Sequence, residues 1–169
     1  KTKFKYNSRD LYSKNLRGAE TVLINLSNAL SKNGHNITII NNCKRDEIID
    51  NIHWKNIDKY NEQQNFDIVF SNNNTILFDK VNSKKKILIS HSLQTIEKFI
   101  RKYQLLSFIK HRPKLLLLGD YHRKNQSKLL TLFGTINCGW AVDNIFINAE
   151  INENINKNQA IFTSKFDLN

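Results

Sequence analysis

His91 is the residue best placed to do chemistry. It follows the apolar run KILIS at 86–90, and Ser92 stands beside it. An imidazole at the end of a buried strand can donate a hydrogen bond or exchange a proton near neutral pH. The same position also suits a structural histidine whose ring is satisfied by backbone. Asn72, Asn73 and Asn74 follow a second such run, DIVFS at 67–71, and Asp120 follows Gly119 after a third, LLLL at 115–118. Consecutive amides offer donors and acceptors suited to sugar hydroxyls, and they serve equally as turn residues. Gly18 stands just ahead of a helical pattern, where the backbone can come close to a ligand and first-turn amides favour an anionic group.

Other chemistries lose ground on spacing. His35, His53, His91, His111 and His122 show no paired ligand spacing, and Cys43 and Cys138 lie far apart, so no metal is expected. Asp-x-Asp is absent, as are the Gly-x-x-x-x-Gly-Lys loop and the Gly-x-Gly-x-x-Gly fingerprint. Ser92 lacks the flanking glycines of a nucleophile elbow. No cofactor is expected.

The elements that must position these residues read as strands alternating with helices. Over 15–42, Val22, Leu23, Leu26, Ala29 and Leu30 recur at helical spacing and predict a core-facing stripe, with Asn25, Ser27, Asn28 and Lys32 opposite. Gly34 suits a left-handed cap, and Ile37, Ile39 and Ile40 a strand. A first strand is expected at 4–6, a polar connection at 41–50, and a short edge strand at 52–57. Buried strands are expected at 67–71 and 86–90, with a short helix or turn at 75–81. One helix is predicted over 95–110, its core face carrying Ile96, Phe99, Ile100, Tyr103, Leu106 and Ile109, widened by Leu105 and Phe108. Pro113, a strand at 115–118, a helix at 122–132 and a strand at 134–138 follow. This order predicts an α/β fold, a Rossmann-like doubly wound parallel sheet with helices on both faces. Ligands of such sheets bind beyond the carboxyl ends of the strands, where Gly18, Asn72, His91 and Asp120 all fall.

The chain has 169 residues, 40% hydrophobic and 24% charged, as expected of a soluble globular domain. No apolar run approaches the roughly 20 residues of a membrane span, and KTKFKYNSRDLY has no signal-peptide h-region. The expected place is the cytoplasm, peripheral on the inner face of the membrane. The net charge is +11, and residues 84–128 hold twelve Lys or Arg against Glu97 and Asp120. Such a patch implies an acidic partner: nucleic acid, anionic lipid or a phosphorylated substrate. Lys98, Arg101, Lys102 and Lys110 beside the apolar residues of 95–110 fit a lipid interface, or a core-packing helix with a solvated face.

Five stretches together give a resemblance. RGAETVLINLSNALSKNGHNITII is similar to the Gly-Gly-x-Glu turn, helix and Gly-His-x-Val-Thr strand of family-4-type (group 1) glycosyltransferases of the GT-B architecture. FDIVFSNNN, KKKILISHS and CGWAVDNIF resemble that family's polar-ended strand, His-ended strand and Gly-Val-Asp-x-x-Phe turn. QAIFTSKFDLN resembles the first strand of its second domain. The resemblance implies an amino-terminal, acceptor-side domain at 1–157 and, at 158–169, a linker and the start of a donor-binding domain. It implies a retaining, metal-independent transfer of sugar from a nucleotide-sugar to a cell-envelope glycan or lipid-linked acceptor. His91 would contact the transferred sugar; Arg17, Gly18 and Ala19 would meet the donor diphosphate; Asn72, Asn73, Ser92 and Asp120 would hold the acceptor. Arg17 and Ala141 stand where the family has glycines, and the family's paired glutamates belong to the carboxyl-terminal domain, so this chain alone is expected to be inactive. Two alternatives stand beside it. One is a non-catalytic basic module for nucleic acid, needing exposed aromatics among its cations, whereas Tyr103 and Tyr121 are accounted for by packing. The other is a degenerate scaffold in polysaccharide assembly.

Overall fold

Two sheets carry the strands. The computed structural model describes residues 5–12, 16–61 and 64–139. All of them belong to a unit spanning Lys1–Gly139. Expectations placed on the turn at 140–146, the boundary at 157–158 and the strand that follows lie outside the described residues.

The larger sheet is the parallel one. Strands β4 (Asn65–Asn72), β5 (Asn82–Ser90), β6 (Lys114–Leu117) and β7 (Thr135–Asn137) lie in the order β4-β5-β6-β7, every neighbour parallel. Ile87 through Ser90 are all buried, as an interior strand of a sheet covered on both faces requires. Strand β4 is longer and less buried than expected for a core strand, with Ile68 and Phe70 exposed, because it lies at the end of the four-strand order. The core here joins Leu88, Leu115 and Leu117 to Phe78, Phe99, Phe108 and Leu130.

The smaller sheet has the order β1-β3-β2. Strand β1 (Ile37–Asn41) pairs in parallel with β3 (Ile52–Asn56), and β2 (Glu47–Ile49) pairs antiparallel with β3. The strand expected at an edge is therefore the central one. Its alternation puts Ile52, Trp54 and Asn56 in the interior and His53 outside; the polar outer residues made it read as an edge. Strand β2, with three residues inside an otherwise polar connection, gave no periodic signal. Tyr6 runs beside β1: its amide donates to the Asn42 carbonyl at 3.3 Å, and Asn41 Nδ2 donates to its carbonyl at 3.2 Å. Residues 1–4, which include the start of the expected first strand, are outside the described set.

Helix α1 (Gly18–Lys32) ends as its sequence dictates. Gly34 takes φ +84, its amide donates to Ser31 O at 3.0 Å, and the His35 amide reaches back to Leu30 O at 3.1 Å, a Schellman cap. Its buried face differs from the expected stripe. Glu20, Ile24 and Ser27 are buried, spaced four and three apart, while Val22 is exposed. Leu23 still packs against the core of Ile24, Ile39, Ile52 and Trp54.

The helix expected over 95–110 is two helices, α2 (Ile96–Arg101) and α3 (Leu105–His111). Tyr103 adopts φ +55, with the Tyr103 amide donating to Ile100 O at 2.9 Å and the Gln104 amide to Phe99 O at 2.8 Å. This is the same cap as at Gly34 with a tyrosine in the left-handed position. Buried Gln104 fixes the break: its Oε1 accepts from the Thr75 amide at 3.1 Å, and its carbonyl accepts from Thr75 Oγ1 at 2.8 Å. The break shifts the helical register. Phe108 is in the core and Leu105 packs against it, whereas Ile100, Tyr103, Leu106 and Ile109 face outward. The helix expected at 122–132 is likewise divided, into α4 (Asp120–Asn125) and a 3-10 turn at Lys128–Thr131. Gln126 between them is buried.

Candidate functional site

The site is built from the start of α1 and the ends of β4 and β5. Arg17 is the N-cap of α1 in extended conformation (φ −80, ψ 160), and its side chain makes no capping hydrogen bond. Its carbonyl accepts from the Glu20 and Thr21 amides at 3.1 Å. Arg17 and Gly18 are exposed and Ala19 is half-buried. A Cβ added at Gly18 would meet nothing within 4 Å, and its φ is not in the left-handed region. Neither strain nor internal packing calls for glycine there. What it leaves is open backbone at the positive end of a 15-residue helix.

Strand β5 ends at Ser90, and the chain turns through His91 and Ser92. Asn73 governs this turn. At φ +51 it donates its own amide to Ile89 O at 3.0 Å, and its Oδ1 accepts from the His91 amide at 3.2 Å and from Gln94 Nε2 at 2.9 Å. Asn73 is thus occupied in holding the loop. Asn74 caps the 3-10 turn at Thr75–Lys80 by accepting from the Ile76 amide at 3.1 Å. Asn72 is the asparagine that meets the imidazole, its Oδ1 lying 3.4 Å from His91 Nε2. At that length the contact is weak and leaves Asn72 largely available to a ligand.

Two glutamines brace the turn from below. The Gln94 amide donates to Gln126 Oε1 at 3.2 Å, and Gln126 Nε2 donates to Gln94 O at 2.6 Å. Both are buried, so each polar end needs this partner. Ser90 Oγ and Gln94 Nε2 both donate to Ser92 O, at 2.6 and 3.1 Å. Ser92 Oγ accepts from Lys98 Nζ at 3.0 Å. Burial, then the neighbouring Lys102 and Arg101 charges, lower the Lys98 ammonium below its ordinary value. Lys98, expected among the membrane-facing cations, therefore stands on the rim of the His91 turn.

The electrostatics join the two sides. Burial pushes the His91 imidazole below its ordinary value, so the ring is neutral near pH 7. The Glu20 carboxylate acts against that shift and the His122 ring acts with it. The start of α1, the end of β5 and helix α4 are thus close enough for their charges to interact. Glu20 is 6% exposed, and its Oε2 has no hydrogen-bond partner among the described residues.

Of the expected site residues, the structure brings Asn72, Asn73, His91 and Ser92 together at the ends of β4 and β5, while Arg17, Gly18 and Ala19 share the first turn of α1, which packs on β1 and β3. Asp120 is exposed and pairs with Arg123 Nη2 at 3.3 Å on its own helix. Sequence reasoning missed Glu20, Gln94, Gln126 and His122. Glu20 stands at the glutamate of the Gly-Gly-x-Glu resemblance, but nothing in the sequence marked it as buried. Two shallow hollows of about 470 and 380 Å³ lie elsewhere, one lined by Asn28, Ser31, Lys32, Asp50 and Asn51, the other by Asn65, Phe66, Asp67, Ser83 and Lys84. Neither includes any of the expected site residues.

The apolar residues turned outward by the Tyr103 break form a second feature. Tyr103 is 88% and Leu106 82% exposed, next to Arg101 and Lys102. Lys110 is engaged with Asp79 Oδ1 at 2.6 Å. No described helix is long and apolar enough to cross a membrane.

No protein-family model, curated protein or solved structure matches this chain.

Proposed function

We propose that the chain is the acceptor-side domain of a GT-B glycosyltransferase that moves a sugar, with retention and without a metal, from a nucleotide-sugar donor to a cell-envelope glycan or lipid-linked acceptor. One observation carries the reading. An imidazole stands just past the carboxyl end of a strand in a parallel sheet, with Asn72 Oδ1 of the neighbouring strand 3.4 Å from its Nε2. In that frame Arg17, Gly18 and Ala19 offer a cation and uncapped amides to the donor diphosphate. His91, neutral from burial, hydrogen-bonds the transferred sugar, and Asn72 supplies a free amide to hydroxyls. Asn73 and Ser92 hold the turn's shape, and Asp120, paired with Arg123 on its own helix, is given no part in it. The rate comes from positioning and from stabilising the leaving diphosphate.

The exposed Ile100, Tyr103, Leu106 and Ile109, flanked by Arg101 and Lys102, rest on an anionic membrane surface. Lys98 and Lys110, held by Ser92 and Asp79, shape the edge of that surface. The transfer assay is direct. The product of the complete reading frame, incubated with a panel of labelled nucleotide-sugars, envelope glycolipid extract and EDTA, is expected to move label into the acceptor. Absence of transfer from every donor would leave a scaffold in polysaccharide assembly.

A second reading has an observation of its own. Tyr103 and Tyr121 are 88% and 69% exposed, not packed as expected, and stand near exposed Arg101, Lys102, Arg123 and Lys124. Aromatics among cations are the arrangement single-stranded nucleic acid stacks on. Salt-sensitive binding of oligonucleotides, with none to anionic liposomes, would favour it.

A further inference from the structure

The turn that carries His91 uses up its acceptors and leaves donors over. Asn73 Oδ1 accepts from the His91 amide at 3.2 Å and from Gln94 Nε2 at 2.9 Å. A backbone amide can only donate, so the Asn73 oxygen must face it, which turns Nδ2 the other way. Ser92 O is likewise taken, by Ser90 Oγ at 2.6 Å and Gln94 Nε2 at 3.1 Å. Ser92 Oγ accepts from Lys98 Nζ at 3.0 Å, and Asn72 Oδ1 faces His91 Nε2 at 3.4 Å. On the donor side, Asn72 Nδ2, Asn73 Nδ2 and the Ser92 hydroxyl hydrogen meet no acceptor among the described residues. Asn72 and Asn73 are half-buried and Ser92 exposed, and none of these groups is shut off from solvent. Lys98 Nζ, bonded to Ser92 Oγ and at 3.5 Å to Leu93 O, keeps a third N–H to give.

We propose that this turn binds an oxyanion, a phosphate or carboxylate group, through Asn72 Nδ2, Asn73 Nδ2, Ser92 Oγ and Lys98 Nζ. A sugar hydroxyl both gives and accepts a hydrogen bond, and its own hydrogen would find few oxygens left here. An oxyanion only accepts, which matches a set of spare donors, and the Lys98 charge strengthens its bonds. Burial and the Lys102 and Arg101 charges disfavour the Lys98 ammonium, so an anion beside it relieves both. The acidic side chains of the region do not take these donors. Asp120 is paired with Arg123, Glu97 is exposed, and Glu20 is felt at the His91 ring without bonding to any of them. The inference deepens the transferase reading and rests on it, because it names the acceptor as one that carries a phosphate or an acidic sugar.

The test is a two-dimensional NMR titration of the full chain with inorganic phosphate, glucuronate or glucose, at constant ionic strength. Phosphate or glucuronate should move the side-chain amide signals of Asn72 and Asn73 and the Ser92 amide; glucose should not. Which anion moves them further tells a phosphate-bearing acceptor from one with an acidic sugar. Asn73→Asp keeps the oxygen that holds His91 and Gln94, tolerates the left-handed backbone, and removes only the donor. It and Lys98→Gln should each weaken anion binding about tenfold, as the loss of a charge-assisted hydrogen bond predicts. Circular dichroism verifies the fold of each, and if Asn73→Asp does not fold, Lys98→Gln carries the comparison. Glucose moving the same signals as far as the anions, no movement with either anion, or wild-type affinity in a folded variant overturns the proposal. The titration needs no sugar transfer, so its failure is separate from failure of the transfer assay.

Discussion

Gly18 shows how a residue can be informative through what it does not do. It has no left-handed φ, and no neighbour would touch an added Cβ. Glycine in a helix costs roughly 0.5–1 kcal/mol relative to alanine, less at the very first position, so the fold gains nothing from it. Gly18→Ala is therefore expected to leave the thermal midpoint unchanged or slightly raised, while affinity for a nucleotide diphosphate falls. Equal affinity in the variant, read by calorimetry, would remove Gly18 from the site. Gly34 shows the opposite case, for its φ of +84 was legible from the sequence because glycine is the usual residue there. Tyr103 and Asn73, at φ +55 and +51, occupy the same region without that mark. His91 and Asn72 were legible as strand-end polar residues. Glu20 was not, because a first-turn glutamate is ordinary on a surface and nothing local reveals that this one is buried.

Helices α2 and α3 carry the clearest test at the level of elements. Phe108 is 2% exposed, with its ring edge-on to Phe99 at 5.3 Å and tilted against Phe133 at 5.2 Å. Phe108→Ala should cost about 3–5 kcal/mol in denaturant unfolding. Leu106→Ala should stay within about 0.5 kcal/mol, because Leu106 is 82% exposed. An unbroken helix over 95–110 would bury Leu106, so the contrast tests the break itself. The period of 3.6 was readable on each side of Tyr103, but the change of phase came from Gln104 bonding to Thr75, a partner 29 residues away. Asp79 ties the same region together, receiving Lys110 Nζ at 2.6 Å and His111 Nε2 at 2.8 Å. The Lys110 hydrogen bond first, then that of His111, lowers its carboxyl to about 2 from 3.8. A depressed carboxyl contributes stability that is fully present above its unfolded value and is lost as pH falls from there through the folded value. Asp79→Asn should therefore flatten the loss of stability between pH 3.8 and about 2, as followed by thermal melting. The side chain is 36% exposed, so solvent screening keeps the effect small.

At the scale of the molecule, alternation of strands and helices was enough to give an α/β chain with a parallel sheet. It did not separate the strands into a four-stranded parallel sheet and a mixed three-stranded one, since pairing depends on partners that period and burial do not name. The net charge of +11 is likewise a sequence fact whose use depends on placement. With Lys98 and Lys110 engaged by Ser92 and Asp79, Arg101 and Lys102 stand exposed beside the outward apolar residues of α2 and α3. Binding to anionic liposomes is expected to weaken in Leu106→Ser and in Lys102→Glu, with no change in fold; unchanged sedimentation with liposomes would assign that surface another use. The central claim is that the start of α1 and the turn at His91 form one wall of a sugar-transfer site. Its most direct test is His91→Ala in the product of the complete reading frame, assayed for transfer of labelled sugar alongside thermal melting. Loss of transfer with an unchanged melt is the predicted result; wild-type transfer by the variant would contradict the account.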